Sequence, residues 1–500
     1  MIVCPVDEAR VSREFSISTQ IMSETPTYID FEKYSEHVPV SIPAAVQQAT
    51  DRFVGGRAAR VAELPQWEQL RQIGSDIRLH TIENMDVYLT RLEEKVKAAG
   101  GHIHWAETAE KANQIVLQIA KEHNVKTVVK SKSMATEEIG LNHALEAAGI
   151  EALETDLGEY IIQLAGTGPS HIIAPAVHLK KEEIAALLSE KLGIHAPADP
   201  IELTRIAREV LREKFLTAEM GISGGNFLIA ETGTLVLVTN EGNGRMCTTM
   251  PDVHVAVVGI DKVIPDWESL TVFLKLLARS ATGQKLSTYT QFITGPRRAE
   301  GEFGPKDFHL VLLDNGRSNV LKDPIGREVF KCIRCGACAN VCPVYKNVGG
   351  FAYGWFISGP IGAILSPQML GTKTARELPY ASTLCGACAD VCPVKIPIPT
   401  ILRHLRRRVA QGDEFAAPTL SAPARVIAGL ASFALAQGWL YRLGTRILPT
   451  IMLLFKHGDW IPKAPYPLSR WTRVRPLPVF KAQFRKWWNV HSAKKDESQQ

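Results

Sequence analysis

Seven of the nine cysteines in this 500-residue chain fall between Cys332 and Cys392. The first run reads Cys332-Ile-Arg-Cys335-Gly-Ala-Cys338-Ala-Asn-Val-Cys342-Pro343, a C-x2-C-x2-C-x3-C-P spacing. That spacing holds cubane iron–sulfur clusters. Two-residue gaps let three thiolates converge on three iron corners of one cube. The intervening backbone amides can point at sulfur and tune its potential. The fourth cysteine is out of reach of that corner set and ligates the other cluster.

The second run is Cys385-Gly-Ala-Cys388-Ala-Asp-Val-Cys392-Pro393. Both share CGACA-x-VCPV, which marks an internal duplication, and Ser382 stands in the slot matching Cys332. Crossing the ligands assigns Cys332, Cys335, Cys338 and Cys392 to cluster one, and Cys342, Cys385 and Cys388 to cluster two. Two clusters are expected. The second has three thiolates, so it is either a three-iron cluster or a four-iron cluster completed by Ser382 or solvent. Zinc is the competing reading of paired Cys-x2-Cys motifs. Four cysteines in so short a run crowd one tetrahedral ion, so iron–sulfur is preferred. Cys4 and Cys247 read as non-ligands.

The rest of the chain must position these thiols. A 45% hydrophobic and 22% charged composition excludes disorder and a disulfide scaffold. Net charge is +5, unevenly spread: residues 401–500 hold 17 Lys/Arg against 5 Asp/Glu, leaving an acidic body with a basic tail. Strands alternate with helices over residues 80–300, as in HIHWAET followed by AEKANQIVLQIAKEHN, which argues an α/β sheet domain. Residues 28–60 read as an extended arm and a helix start. The expected domains are an N-terminal arm (1–64), an α/β domain (65–315), a helical two-cluster ferredoxin module (316–412) and a basic, Pro/Trp-rich irregular region (413–500).

Several segments carry weaker signals. The N-terminus has acids and arginines where a secretory signal needs an apolar core, so reduced thiols in a cytoplasmic setting are expected. Met22 is an alternative start. The uncharged run 347–372 reads as a buried connector between the motifs, and 426–441 as a buried or interfacial helix too short to span a bilayer. The Gly-rich stretch 221–245 reads either as an anion-binding turn or as a hairpin with Gly at its bends. Segment 130–138 (KSKSMATEE) sits at a strand end, where α/β sheets bind ligands; a helix N-cap at Ser133 or Thr136 is the plainer reading. His171 and His178 are candidate general bases. Arg245 near Glu231 is a candidate carboxylate clamp. No dinucleotide, Walker or nucleic-acid motif is present.

VKSKSMATEEIGLN, GEYIIQLAGTGPSHIIAPAVH, FLIAETGTLVLVTNEGNGR and the paired cysteine motifs together resemble the lactate-utilisation protein B family, over roughly residues 30–490. The resemblance implies an LUD domain of sugar-isomerase/CoA-transferase-like α/β fold, followed by the ferredoxin module. It implies two four-iron clusters with a three-cysteine second site, and an electron-transfer role in oxidising L-lactate to pyruvate. Other subunits of the lactate-utilisation system are the implied partners, without nucleic acid or a transmembrane helix. The basic tail suits acidic partners or a peripheral membrane surface. Rival readings are a subunit of another hydroxy-acid or heterodisulfide-type oxidoreductase, or an LUD domain that itself binds the hydroxy acid.

Overall fold

A computed structural model describes residues 26–38, 41–412, 417–418, 421–465, 469–472, 475–479 and 488. Cys4 and the alternative start at Met22 lie outside the described residues. The chain divides into two compact units, Met1–Ala417 and Pro418–Gln500.

The first unit is built on a parallel sheet. Its strands are β1 (His102–Ala106), β2 (Thr127–Lys130), β3 (Glu151–Glu154), β4 (Met220–Ser223), β7 (Val253–Gly259) and β10 (Asp307–Leu313). They run in the order β1-β10-β7-β4-β2-β3, every neighbouring pair parallel. The central strand β7, VHVAVVG, is buried at every residue, as expected for a strand covered on both faces. Edge strand β1 is only partly buried.

A second sheet has the order β8-β5-β6-β9, from Val263–Ile264, Phe227–Ile229, Thr234–Thr239 and Tyr289–Ile293. Neighbouring strands of the large sheet feed it. β4 continues through Gly224-Gly225-Asn226 into β5, and β7 continues through a 3-10 turn at Ile260–Lys262 into β8. β5 and β8 then pair in parallel. The Gly-rich stretch is therefore partly a hairpin: β5 and β6 are antiparallel, and Gly233 turns with φ +71°.

The cysteine motifs sit among short helices, Ala337–Asn340, Pro343–Val348, Gly359–Met369 and Ala387–Val391, closed by Ile398–Gln411. The uncharged connector does become helix Gly359–Met369, buried along nearly its whole length. Over residues 28–60 the expected helix is present but the expected extended arm is not. These residues form helices Phe31–Glu36 and Ser41–Ala62. Pro43 falls in the first turn, where no intrahelical N–H is lost, and Gly55-Gly56 sit mid-helix without ending it. Helix Ser41–Ala62 packs on Ala337–Asn340, on Pro343–Val348 and on helix Trp267–Ala281 of the α/β domain. One apolar core therefore runs from Ile42 and Val46 through Phe273 to Cys335 and Leu402.

The second unit holds helices Ala422–Ala436 and Gly438–Met452 and a short antiparallel pair, Trp460–Ile461 with Leu477–Pro478. The region expected to be irregular holds two helices, and the helix read at 426–441 is broken at Gln437 between them. Helix Ala422–Ala436 has no buried residue, so the buried reading of 426–441 does not hold. Among the described residues no single helix is long and apolar enough to cross a membrane; these two consecutive helices meet that test only together, across a 101° bend.

Candidate metal centres and an adjoining cavity

The two cysteine motifs fold alike. Arg334 and Leu384, each just before the second cysteine position, take left-handed φ of +58° and +56°. Gly336 and Gly386, each just after it, take +73° and +89°. In the first motif Arg334 N–H donates to Cys332 Sγ at 3.3 Å. In the second, Leu384 N–H donates to Ser382 Oγ at 3.1 Å. Ser382 thus occupies the place of Cys332 in three dimensions as well as in sequence. The amides of Ala337 and Ala387 point at Cys335 and Cys385 in the same register.

The thiols fall into two groups. Cys332, Cys335, Cys338 and Cys392 line one small cavity with Ile172, Ile361 and Ile396. Burial pushes the Cys338 thiol well up, and the neighbouring thiols of Cys332, Cys335 and Cys392 add to it. Cys342, Cys385 and Cys388 form the other group. Burial, then Cys342, pushes Cys388 up to about 12. Among the described residues no three His, Cys, Asp or Glu side chains converge on a point fit for a single ion. In a cubane each thiolate binds a different iron, so its sulfurs surround a volume rather than a point. A cavity ringed by four mostly buried thiols suits such a group.

Helices from the N-terminal segment clamp the second motif. Arg71 donates to the carbonyls of Cys392 at 2.9 Å, Asp390 at 2.9 Å and Ala389 at 3.3 Å. Arg57 reaches Val391 O at 2.9 Å. These guanidiniums neutralise carbonyls at the end of helix Ala387–Val391, where the helix dipole is negative. Sequence reading missed both, because nothing local links residues 57 and 71 to residue 392.

A larger cavity of about 330 Å³ opens beyond the carboxyl ends of β2, β4 and β7. Ligands in parallel α/β sheets bind there. Its wall includes Ser131, Lys132, Asn243, Lys262, Ile333 and Arg334. A Cβ on Gly224 would stand 2.7 Å from Ser133 Oγ, so glycine lets the loops after β2 and β4 close on each other. Arg317 anchors the floor, donating twice to Glu138 at 2.9 and 2.7 Å and once to Asp261 at 2.7 Å. All three are buried. Asp261 is held far below the usual carboxylate range: burial opposes its charge, but Lys262, Arg317 and Arg334 outweigh it. Burial lowers Lys262 to about 8, with Asp261 opposing. Asp261-Lys262 at the end of an apolar strand was the available signal for this site.

The other candidates separate. Ser133 caps helix Met134–Glu138 and also lines the cavity with Ser131 and Lys132, so the cap and the strand-end site coincide in segment 130–138. Glu231 precedes β6 and Arg245 follows it, so the strand holds them apart and they form no clamp. His171 is buried: its Nδ1 accepts from Ile173 and Ala174 N–H at 3.1 and 3.3 Å, and its Nε2 lies 2.9 Å from Asn340 Oδ1. Burial lowers it to about 4. His178 lies 2.8 Å from Ser170 Oγ and is also lowered by burial to about 4. Neither lines the large cavity; His171 joins the α/β domain to the first cysteine helix.

The LUD domain family matches residues 89–313, and the 4Fe-4S dicluster domain family matches residues 328–396. The chain is 45% identical to lactate utilization protein B of Geobacillus sp. (strain WCH70), over 93% of this chain and 98% of that one. It is 46% identical to lactate utilization protein B of Shouchella clausii (strain KSM-K16), over 89% and 93%. A crystal structure of a DUF162 family protein from Deinococcus radiodurans covers 46% of this chain and 98% of its own, at 14% identity and a TM-score of 0.26.

Proposed function

Because the chain belongs to the lactate utilization protein B family, we propose that it is the iron–sulfur electron-transfer subunit of a system that oxidises L-lactate to pyruvate. The observation that carries this is the sorting of seven cysteines into two adjoining thiol groups. Cys332, Cys335, Cys338 and Cys392 hold one four-iron cluster; Cys342, Cys385 and Cys388 hold the second, with Ser382 or solvent completing it. Bound cubanes supply one-electron relay. The chain's own residues bury one site, hold the other near the surface, and fix their separation through helix Ala387–Val391. The other subunits of the system are its partners, and the cytoplasm its setting. The exposed apolar side chains of Val426, Leu430 and Phe433, in a basic region, suit a peripheral membrane surface.

The test is EPR on anaerobically purified chain. Dithionite is expected to reduce both sites, and L-lactate to do so only once the partner subunits are present. Reduction by L-lactate alone would move the catalytic centre into this chain. Absence of cluster signals after reconstitution would end the proposal.

A further inference from the structure

The large cavity and the first cysteine motif share a wall. Ile333 and Arg334, which lie between Cys332 and Cys335, line the cavity on one side and the four-thiol site on the other. The cavity's inner end is cationic and incompletely satisfied. Lys262 Nζ and Arg334 Nη1 are buried without a hydrogen-bond acceptor. Their shared counter-charge is Asp261, at 3.3 Å from Lys262 and 3.8 Å from Arg334. Asp261 Oδ1 is engaged by Arg317, which also pairs with Glu138, so Lys262 and Arg334 share the remaining oxygen, Oδ2, which itself makes no hydrogen bond. Ser131 Oγ and Asn243 Oδ1, on the same cavity, are buried and unpartnered too. Buried polar groups are satisfied in the great majority of proteins, and unpaired donors of this kind indicate a missing acceptor. Lys132 and Arg317 are the other cations on the wall, Lys132 at 3.0 Å from Glu159, and the wall also carries Glu138, Asp156 and Glu241.

We propose that this cavity binds a small organic carboxylate, a 2-hydroxy or 2-oxo acid, with its carboxylate on Lys262 and Arg334 and its polar substituent toward Ser131 and Asn243. The acid's short apolar part faces Ile333 and Phe356, which line the same space. The naming of the acid rests on the lactate reading above; the carboxylate site rests on the cavity itself. Gly224, Gly225 and the N-terminus of helix Asn243–Thr249 also line the cavity, so inorganic phosphate is the competing anion that the test must separate from a carboxylate. Binding has an electrical consequence. Lys262 lies within electrostatic reach of Cys332. An anion seated on Lys262 cancels positive charge beside the first cluster, and so makes that cluster harder to reduce. The second thiol group does not border this cavity.

The test uses the anaerobically reconstituted full chain in a spectroelectrochemical titration, with L-lactate, pyruvate and inorganic phosphate added separately at matched ionic strength. The expected result is a saturable downward shift of one cluster's potential with L-lactate or pyruvate, the other cluster unmoved. Lys262→Gln is expected to lower that potential without ligand and to weaken the carboxylate response about tenfold or more, the usual cost of losing a hydrogen bond between charged groups. Because Lys262 also pairs with Asp261, Asn243→Asp serves as a second variant. It preserves shape and sets a repelling charge in the wall, and it too is expected to abolish the response. No saturable shift with either acid overturns the proposal, as does an equal shift with phosphate. A chain that restores lactate oxidation to its partner subunits yet shows no such shift overturns this site alone and leaves the electron-transfer reading standing.

Discussion

The two thiol sites share one backbone pattern and differ in everything around it. The first has four cysteines, lies in the core, and abuts a cavity with Lys262 and Arg334 on its wall. Arg57 and Arg78 also sit within electrostatic reach of its thiols. The second has three cysteines and a serine, and its Cys385 is exposed. The Asp390 carboxylate lies within electrostatic reach of Cys385, and Arg406 donates to the Ser382 carbonyl at 2.9 Å. Buried cations favour the reduced, more negative state of a cluster, while a carboxylate opposes it. A duplicated motif has thus been given two electrical settings by what packs on it. One end faces a ligand-sized space and the other faces the surface, an arrangement suited to taking electrons in and handing them on.

The sharpest way to break this comparison is to remove one crossing cysteine at a time. Cys392→Ser is expected to abolish the first cluster, and Cys342→Ser the second, each cutting bound iron by roughly half. Iron analysis with EPR reads the outcome; if Cys392→Ser spares the signal of the buried site, the ligands do not cross.

Arg71→Ala comes next. It deletes three donations to carbonyls around Cys392, and hydrogen bonds from a charged group contribute about 1.5–3 kcal/mol each before compensation. Faster loss of iron to a chelator is expected from the first site than from the second. Equal rates at both sites would show that the clamp is not selective.

Acid should act through the histidines. His171 and His178 are each lowered to about 4 by burial, against an ordinary value near 6.5. A depressed folded-state value means that protonation favours the unfolded chain. The stability is therefore present above about pH 6.5 and is lost as pH falls toward 4, by up to about 3 kcal/mol for His171. Urea unfolding at stepped pH checks this, and His171→Gln should flatten part of the slope.

Ser382→Cys is the mildest change. It completes a fourth thiolate in a slot already shaped like that of Cys332. Greater resistance of the second cluster to air is expected, with the first unchanged, by absorbance decay. An unaltered decay rate would place the fourth ligand elsewhere.

Much of this was legible in the sequence because it is local. The cysteine spacing, the Ser382 slot and the strand–helix alternation each depend on neighbours a few residues apart. What was not legible depends on distance. Helix Ser41–Ala62 has weak amphipathic patterning and gains its packing from residues some three hundred positions later. Arg57 and Arg71 look like surface cations until the second motif is folded against them. His171 and His178 looked like candidate bases, but burial makes them poor ones, and His171 spends both ring nitrogens on hydrogen bonds. The cavity draws Ser131, Asn243, Lys262 and Arg334 from four separate segments, and only the strand order brings them to one place.

The position of Cys392 among the thiols of the first motif also bears on how the protein is made. The ring opened at Cys332 stays incomplete until residue 392 has left the ribosome. Cys342 likewise waits for Cys385 and Cys388. On the crossed ligation proposed above, neither motif would be loaded with iron as it emerges, and metallation would follow synthesis of the whole module as one maturation event. A nascent chain stalled before the second motif should reach the cellular iron-delivery machinery as an open thiol cluster in need of protection from oxygen.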